Sequence, residues 1–325
     1  MILVLRALGI GDLATAVPAL RGLRRAFPDR VLALAAPAWL TPLVELIGGV
    51  DRLVPVAGLA PVGWRVPPPY RAVNLHGRGP ESHRLLLASA PKRLWAFRCP
   101  AAGHLDGPQW MDTEHEVDRW CRLLQWYGVP SDPSDLALQP PTVEVPAGVT
   151  VLHPGGKSPE RRWPAERFGV LARELVALGH RPVVTGTPAE RPLAERVAAV
   201  GGLPPEAVLA GRTGLAELAA LVARARLVVT GDTGVGHLAT AFGTPSVVLF
   251  GPTSPAQWGP PSDRAWHRAL WPGVTSAAAT SSDEAHPVLA AIGVADVLAA
   301  AVEVEQTALR QPDARLAVPD ASAAQ

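Results

Sequence analysis

Short apolar runs recur along the chain, each followed by a stretch whose apolar positions have helical spacing, and that alternation predicts parallel strands joined by crossover helices. In the first half the runs fall at 2–5, 31–35, 53–56, 72–75 and 93–97. Between the first two, residues 15–26 put Val17, Leu20 and Leu23 on one face and Arg21, Arg24 and Arg25 on another, so the opening reads as a βαβ unit. Residues 116–127 have the same spacing through Val117, Trp120, Leu123, Leu124 and Tyr127. A segment dense in Pro, Ser and Asp, from Gly128 to Gly148, reads as a linker.

A second series starts directly after it. Strands are expected at 149–153, 182–185, 208–209, 227–230 and 246–250, with helices at 164–178, 188–200, 215–223 and 235–242. Residues 251–261 read as a loop, 274–285 as a small, polar stretch with little to bury, and 294–302 as a closing helix. The two series predict an α/β chain of two Rossmann-like, doubly wound parallel-sheet domains facing a central cleft. Their expected limits are 1–140 and 141–305, with a disordered tail over 306–325.

Composition narrows the class. At 325 residues the chain is about twice a usual domain. With 48% hydrophobic and 18% charged residues it is not disordered in bulk. Thirty Lys and Arg against 29 Asp and Glu leave a net charge of +1, which gives no global attraction for nucleic acid or an anionic membrane. No apolar run approaches the ~20 residues of a membrane span, and the opening run meets Arg6 too soon for a signal peptide. The two cysteines, Cys99 and Cys121, have neither disulfide-framework nor metal-ligand spacing, so a reduced, cytoplasmic setting is expected.

Candidate chemistry gathers just after predicted strands. The run Gly231-Asp232-Thr233-Gly234-Val235-Gly236-His237 joins a strand to a helix. Its glycines permit close backbone approach and the helix amides supply free donors, which suits a phosphate or diphosphate; Asp232 as a simple helix cap is the alternative. A second junction, Pro154-Gly155-Gly156-Lys157 followed by Arg161 and Arg162, places three cations beside two glycines, suited to a nucleotide's phosphates unless it is a solvated basic loop. Glu190 follows the strand at 182–185, where a carboxylate can accept ribose hydroxyls or merely favour a helix dipole. His153 reads as a satisfied strand-end histidine.

In the first half, Gly9-Ile10-Gly11-Asp12 follows the opening strand. Asp12, projecting from a loop there, is a candidate general base toward an acceptor hydroxyl or amine, with helix capping as the alternative. Ala14 stands where a third dinucleotide-motif glycine would be, which disfavours a nicotinamide-dependent oxidoreductase. The chain has no Gly-x-Ser-x-Gly elbow, Walker A lysine, clustered Cys/His set or Asp-x-Asp pair. Metal-free chemistry is therefore the simpler expectation, with a leaving nucleoside diphosphate stabilised by helix amides and by Lys157, Arg161 or Arg162.

At these residues the chain resembles the heptosyltransferase-like glycosyltransferases of family 9. The resemblance rests on LGIGDLATAVPALRGLRRAFP at 8–28, NLHGRG at 74–79, LHPGGKSPERRWPAERF at 152–168, TGTPAER at 185–191 and GDTGVGHLATAFGTPSVVLFGPTSPAQWGP at 231–260, collinear over nearly the whole chain. It implies a GT-B fold and inverting, metal-independent transfer of a sugar, mostly heptose from ADP-heptose, to a glycan or small-molecule acceptor. It also implies roles: Asp12 as base, Arg161 at the donor's phosphates, Glu190 at the ribose, and Asp232, Thr233, Gly234 and His237 at the diphosphate and sugar. Gly11, His76 and Arg78 are then the nearest acceptor-side candidates. No cofactor is implied beyond the nucleotide sugar as co-substrate.

The chain also departs from the family pattern. The cysteines often found near the family's final helix are missing from TSSDEAHPVLAAIGV, and the loop around 63–69 is Pro-rich and matches nothing in the pattern. For an anionic acceptor the nearest basic side chains are Arg78, His83, Arg84, Lys92 and Arg93. A lipopolysaccharide core and a small molecule both stay open as acceptor. A UDP- or GDP-sugar donor, or a catalytically silent nucleotide-sugar-binding protein on the same fold, are the competing functions.

Overall fold

A computed structural model describes residues 1–59, 67–273 and 285–311. The chain divides into two compact units, Met1–Leu138 and Gln139–Gln325. The first is built from β1 (Ile2–Leu5), α1 (Ile10–Thr15), α2 (Val17–Ala26), β2 (Leu32–Ala36), α3 (Thr41–Ile47), β3 (Arg52–Pro55), β4 (Arg71–Asn74), α4 (Glu81–Leu87), β5 (Leu94–Trp95) and α5 (Glu116–Trp126). The strands form one parallel sheet in the order β3-β2-β1-β4-β5. β1 and β2 are buried along their whole length, as continuous apolar runs covered on both faces must be. Leu3, Leu5, Ala33, Ala35, Ala72 and Leu86 are core residues of this unit.

The second unit follows the same plan with β6 (Thr150–His153), α6 (Ala165–Ala177), β7 (Pro182–Val184), α7 (Arg191–Gly201), α8 (Leu215–Ala223), β8 (Leu227–Gly231), α9 (Gly234–Phe242), β9 (Ser246–Leu249), α10 (Pro255–Trp258), β10 (His267–Leu270), α11 (Pro287–Ala290) and α12 (Val294–Arg310). Its parallel sheet runs β10-β9-β8-β6-β7. Trp163, Phe168, Leu171, Val229, Val247 and Val304 are among the side chains that fill the core. Trp163 is fully buried, and its indole N–H donates to the Ile292 carbonyl at 3.0 Å, so the Trp-Pro step before α6 ties that helix to the C-terminal segment.

Both sheets are doubly wound, so each has one point where the connections leave in opposite directions: between β1 and β4, and between β6 and β8. The crevice at the carboxyl end of such a point is where open α/β sheets bind ligands.

Several expectations are corrected. The helix expected over 15–26 starts earlier, as α1, and breaks at Ala16 just ahead of Pro18. Asp12 is consequently a first-turn helix residue and not a loop residue. Residues 255–258, expected in a loop, form α10, with the Ser254 hydroxyl accepting from the Ala256 amide. The short strand at 208–209 is a single bridge from Val208 to Val184. β10 was not expected, because His267 and Arg268 interrupt its apolar pattern; it is the edge strand, and Arg268 pairs with Glu303 of α12.

The helix expected over 294–302 continues to Arg310, five residues into the expected tail; 312–325 lie outside the described residues. Residues 60–66 and 274–284, in the Pro-rich loop and the small polar stretch, also lie outside them. The segment expected as a linker is packed in its first part: Leu136 and Leu138 are buried, and Asp135 pairs with Arg21 and Arg25 of α2.

Candidate active site

In the first unit the switch point is organised by Arg6, the residue after β1. Its guanidinium is 1% exposed and lies 4.7 Å from the Trp120 ring centroid. It donates from Nε to the Asp12 carbonyl at 2.8 Å and from Nη2 to Glu116 Oε1 at 2.8 Å and Thr15 Oγ1 at 3.3 Å. Glu116, also buried, accepts from the Trp120 indole at 3.0 Å and pairs with Arg119. One strand end, the first turn of α1 and the start of α5 are thus locked by a single cation.

Asp12 lies at the outer edge of this network, its side chain 30% exposed. Oδ2 accepts from the Gly9 amide at 3.1 Å, which is a capping contact, while Oδ1 is 3.5 Å from Arg6 Nη2. Gly11 is the second residue of α1. Across the switch point, the ring of His76 accepts on Nδ1 from the Ala7 amide at 3.2 Å, leaving its proton on Nε2. Burial, reinforced by the Arg6 charge and opposed by Asp12, holds the His76 pKa below the usual imidazole value, so the ring is a neutral donor at pH 7.

Arg78 is well exposed, 3.7 Å from the exposed carboxylate of Asp112. His83 is no acceptor contact: it is fully buried, with Nδ1 3.0 Å from the Asn74 amide nitrogen and Nε2 2.8 Å from the Phe97 carbonyl.

In the second unit the two glycine-containing turns meet. His153 of β6 registers with Thr230 of β8, and a Cβ built on Gly231 would come within 3.1 Å of the Arg161 carbonyl oxygen. Arg161, with a side chain 40% exposed, reaches Thr253 Oγ1 at 3.1 Å beyond β9 and lies 3.5 Å from Asp232. Burial pushes the Asp232 pKa up and the Arg161 charge opposes it. Thr233 precedes α9, with its hydroxyl 2.9 Å from that of Thr230, and Gly234 opens the helix. The first amides of α9, as at any helix start, have no intrahelical acceptor. His237 packs edge-on against Trp258 at 5.8 Å. Lys157 is exposed.

Two expected donor residues do more for the loop than a ligand contact alone would require. Arg162 spends Nε and Nη2 on the Gly156 carbonyl, at 3.0 and 2.8 Å. Glu190 accepts from the Gly156 amide at 2.9 Å on one oxygen, and from the Thr187 amide at 2.8 Å and hydroxyl at 2.9 Å on the other. Burial would raise the Glu190 pKa; the Thr187 and Gly156 hydrogen bonds outweigh it and hold it below the usual carboxylate value. His153, 2.9 Å from Thr185 Oγ1, is kept neutral by desolvation, with its pKa lowered to about 4.

Gly155 is required by this arrangement, since a Cβ there would fall 2.4 Å from Glu190 Oε1. Gly155→Ala is expected to displace a carboxylate held by three charge-assisted bonds and to destabilise the second unit by about 1.5–3 kcal/mol. Denaturant unfolding measures this, and an unchanged free energy would show that Glu190 swings aside at no cost.

Sequence reasoning missed Arg6, Glu116 and Thr253. Arg6 was visible as a lone cation abutting a fully apolar strand; the other two give no local signal. Among the described residues, no group of three or more His, Cys, Asp or Glu is placed to hold a metal.

Two parallel five-stranded sheets, each with ligand-suited residues at its switch point, are the GT-B architecture of glycosyltransferases. The family model for glycosyltransferase family 9 (heptosyltransferase) matches residues 111–279, just over half of the chain. The chain belongs to this family and is a glycosyltransferase. It is similar to lipopolysaccharide heptosyltransferase 2 of Salmonella typhimurium, 25% identical over 300 residues that cover 78% of this chain and 83% of that protein.

Its fold matches the structure of ADP-heptose lps heptosyltransferase II of E. coli with a TM-score of 0.76 at 22% identity, over 94% of this chain and 98% of that one. A more distant match is the dodecameric glycosyltransferase TibC of enterotoxigenic E. coli, described as iron-containing: TM-score 0.61, 12% identity, 94% of this chain and 76% of that one. Among the described residues, no helix is long and apolar enough to cross a membrane.

Proposed function

We propose that the protein transfers heptose from ADP-heptose to a hydroxyl of a lipopolysaccharide-type glycan, with inversion, without a metal and in the cytoplasm. The names of its relatives support heptose, its ADP carrier and the glycan acceptor. One observation carries the donor half: the turns after β6 and β8 touch, bringing Arg161 and the open amides of α9 to one switch point.

In this reading Asp12 takes the proton of the acceptor hydroxyl as its oxygen attacks the anomeric carbon. The bond from that carbon to the diphosphate breaks, and the electron pair leaves on ADP. Arg161, Lys157 and the amides of Gly234 and Val235 receive the developing charge. Arg162 and Glu190 hold the glycine turn in place, and Glu190, with three bonds already accepted, has one lone pair left on Oε1 for a ribose hydroxyl. Asp232 and His237 face the sugar. Glu116, the nearest other carboxylate to Arg6, is committed to Arg6, Arg119 and Trp120 and is not available as a covalent nucleophile. In this reading the acceptor oxygen displaces ADP directly, in one step and so with inversion.

The test is a thermal-shift panel of ADP, UDP, GDP and CDP. ADP is expected to raise the melting temperature most, by the equivalent of about 2.7 kcal/mol at one hundred times its Kd. No shift with any nucleotide, or a larger one with UDP or GDP, would overturn the donor assignment.

A further inference from the structure

A long, rotamer-rich side chain points where its partners hold it, so its contacts decide the direction of Arg161. Arg161 closes a single turn of 3-10 helix, Pro159–Arg161, after β6, and its side chain is 40% exposed. Its guanidinium makes one hydrogen bond among the described residues, from Nη2 to Thr253 Oγ1 at 3.1 Å. The other partner, Asp232, is 3.5 Å from Nη1, longer than a normal N–H···O contact, and burial disfavours the charge on that carboxylate. The directional restraint on Arg161 therefore comes from a hydroxyl 92 positions away, in the loop after β9.

That hydroxyl is itself fixed from both sides. Ahead of it, the Phe250 amide donates to the Leu270 carbonyl at 2.9 Å, and Phe250 is fully buried. The Gly251 carbonyl accepts from the Trp271 indole at 3.1 Å, and a Cβ on Gly251 would fall 3.3 Å from Leu289 of α11, so the strand end is pressed against the C-terminal segment. Behind it, the Ser254 hydroxyl caps α10. Thr253 is β-branched, which leaves its Oγ1 few rotamers once the main chain is placed. A carboxylate in this position would hold Arg161 more tightly and cancel its charge; a hydroxyl accepts the hydrogen bond and leaves the charge for another anion.

We propose that Thr253 is a positioning residue, whose hydroxyl aims the Arg161 guanidinium across the switch point at the donor's diphosphate. The aim at a diphosphate rests on the donor reading above; the hold of Thr253 on Arg161 does not. An arginine already aimed needs no reorientation as charge develops on the leaving group, and preorganisation of that kind is what gains rate. Thr253→Val exchanges the hydroxyl for a methyl of similar size, and Thr253→Ser keeps the hydroxyl. Arg161→Met removes the guanidinium and leaves the amides of α9 to bind ADP.

The test is a double-mutant cycle on the ADP dissociation constant, measured by titration calorimetry, with the Arg161 Nε–H resonance as a second readout in the nucleotide-free protein. Thr253→Val is expected to weaken ADP by about fivefold or more in the wild-type background, a coupling usual for residues in contact, and by about twofold or less beside Arg161→Met. It should also move the Arg161 resonance, while Thr253→Ser binds ADP within about threefold of wild type. The same loss of affinity in both backgrounds would mean that Thr253 touches the nucleotide itself or merely supports its loop, and would overturn the proposal. So would no loss in the wild-type background, a Thr253→Ser as weak as Thr253→Val, or an unmoved resonance. A wild-type protein that binds no ADP, with Thr253→Val still moving the resonance, would sink the donor reading and leave only the hold on Arg161 standing.

Discussion

Asp12→Asn is expected to lower transfer by about 100-fold or more, the scale of losing a general base, while the thermal shift with nucleotide stays at the wild-type value. Asp12 is the third residue of α1 and reaches back to the amide of the N-cap, Gly9, a contact that needs only an acceptor oxygen. The Oδ1 of asparagine can still accept from the Gly9 amide, now 3.1 Å from Asp12 Oδ2. The side-chain nitrogen would then face Arg6 across a contact that is already long, 3.5 Å, and Arg6 keeps Glu116 as its partner. The substitution therefore preserves the structural role of Asp12 and removes only its ability to take a proton. If Asp12 is nothing more than a cap, Asp12→Asn is silent, and transfer within a few-fold of wild type would refute the base assignment. Alanine is the poorer test, because it also removes the acceptor that the Gly9 amide uses.

What could be read from the residues alone follows from how local each interaction is. β1 is an uninterrupted apolar run, β8 and β9 each carry a single hydroxyl residue, Thr230 and Ser246, and their burial needs no knowledge of partners. α8 falls at the expected boundaries because its spacing is regular from Leu215 onward. The seven-residue helices α3 and α4 escaped notice, since two turns are too short to establish a period.

The site divides the same way. That glycines and cations follow β6 and β8 was legible; that Glu190 ties to Gly156, 34 positions earlier, was not. Asp12 was found as a residue and misplaced as a conformation, because the break at Ala16 hid the turn before it. Arg6 and Glu116, 110 positions apart, meet only through the packing of α5 near β1.

That long-range pair sets the largest expected stability effect. Glu116→Ala leaves two buried guanidiniums, Arg6 and Arg119, without the carboxylate between them and strips the Trp120 indole of its acceptor. Breaking a buried ion pair from one side costs about 3–5 kcal/mol, far more than the 0–1 kcal/mol typical of an exposed pair such as Arg78 with Asp112. Glu116→Gln restores an acceptor but not the charge, so it should recover only part of the loss. Because the chain has two units, a single melting temperature mixes them, and hydrogen exchange read at the amides of β1 and α5 is the cleaner measure. Those amides should lose protection by the stated amount while β6 and β8 keep theirs. A loss under about 1 kcal/mol would show that water or a neighbouring acceptor takes over from Glu116, and that Arg6 does not depend on it to hold the main chain at Asp12.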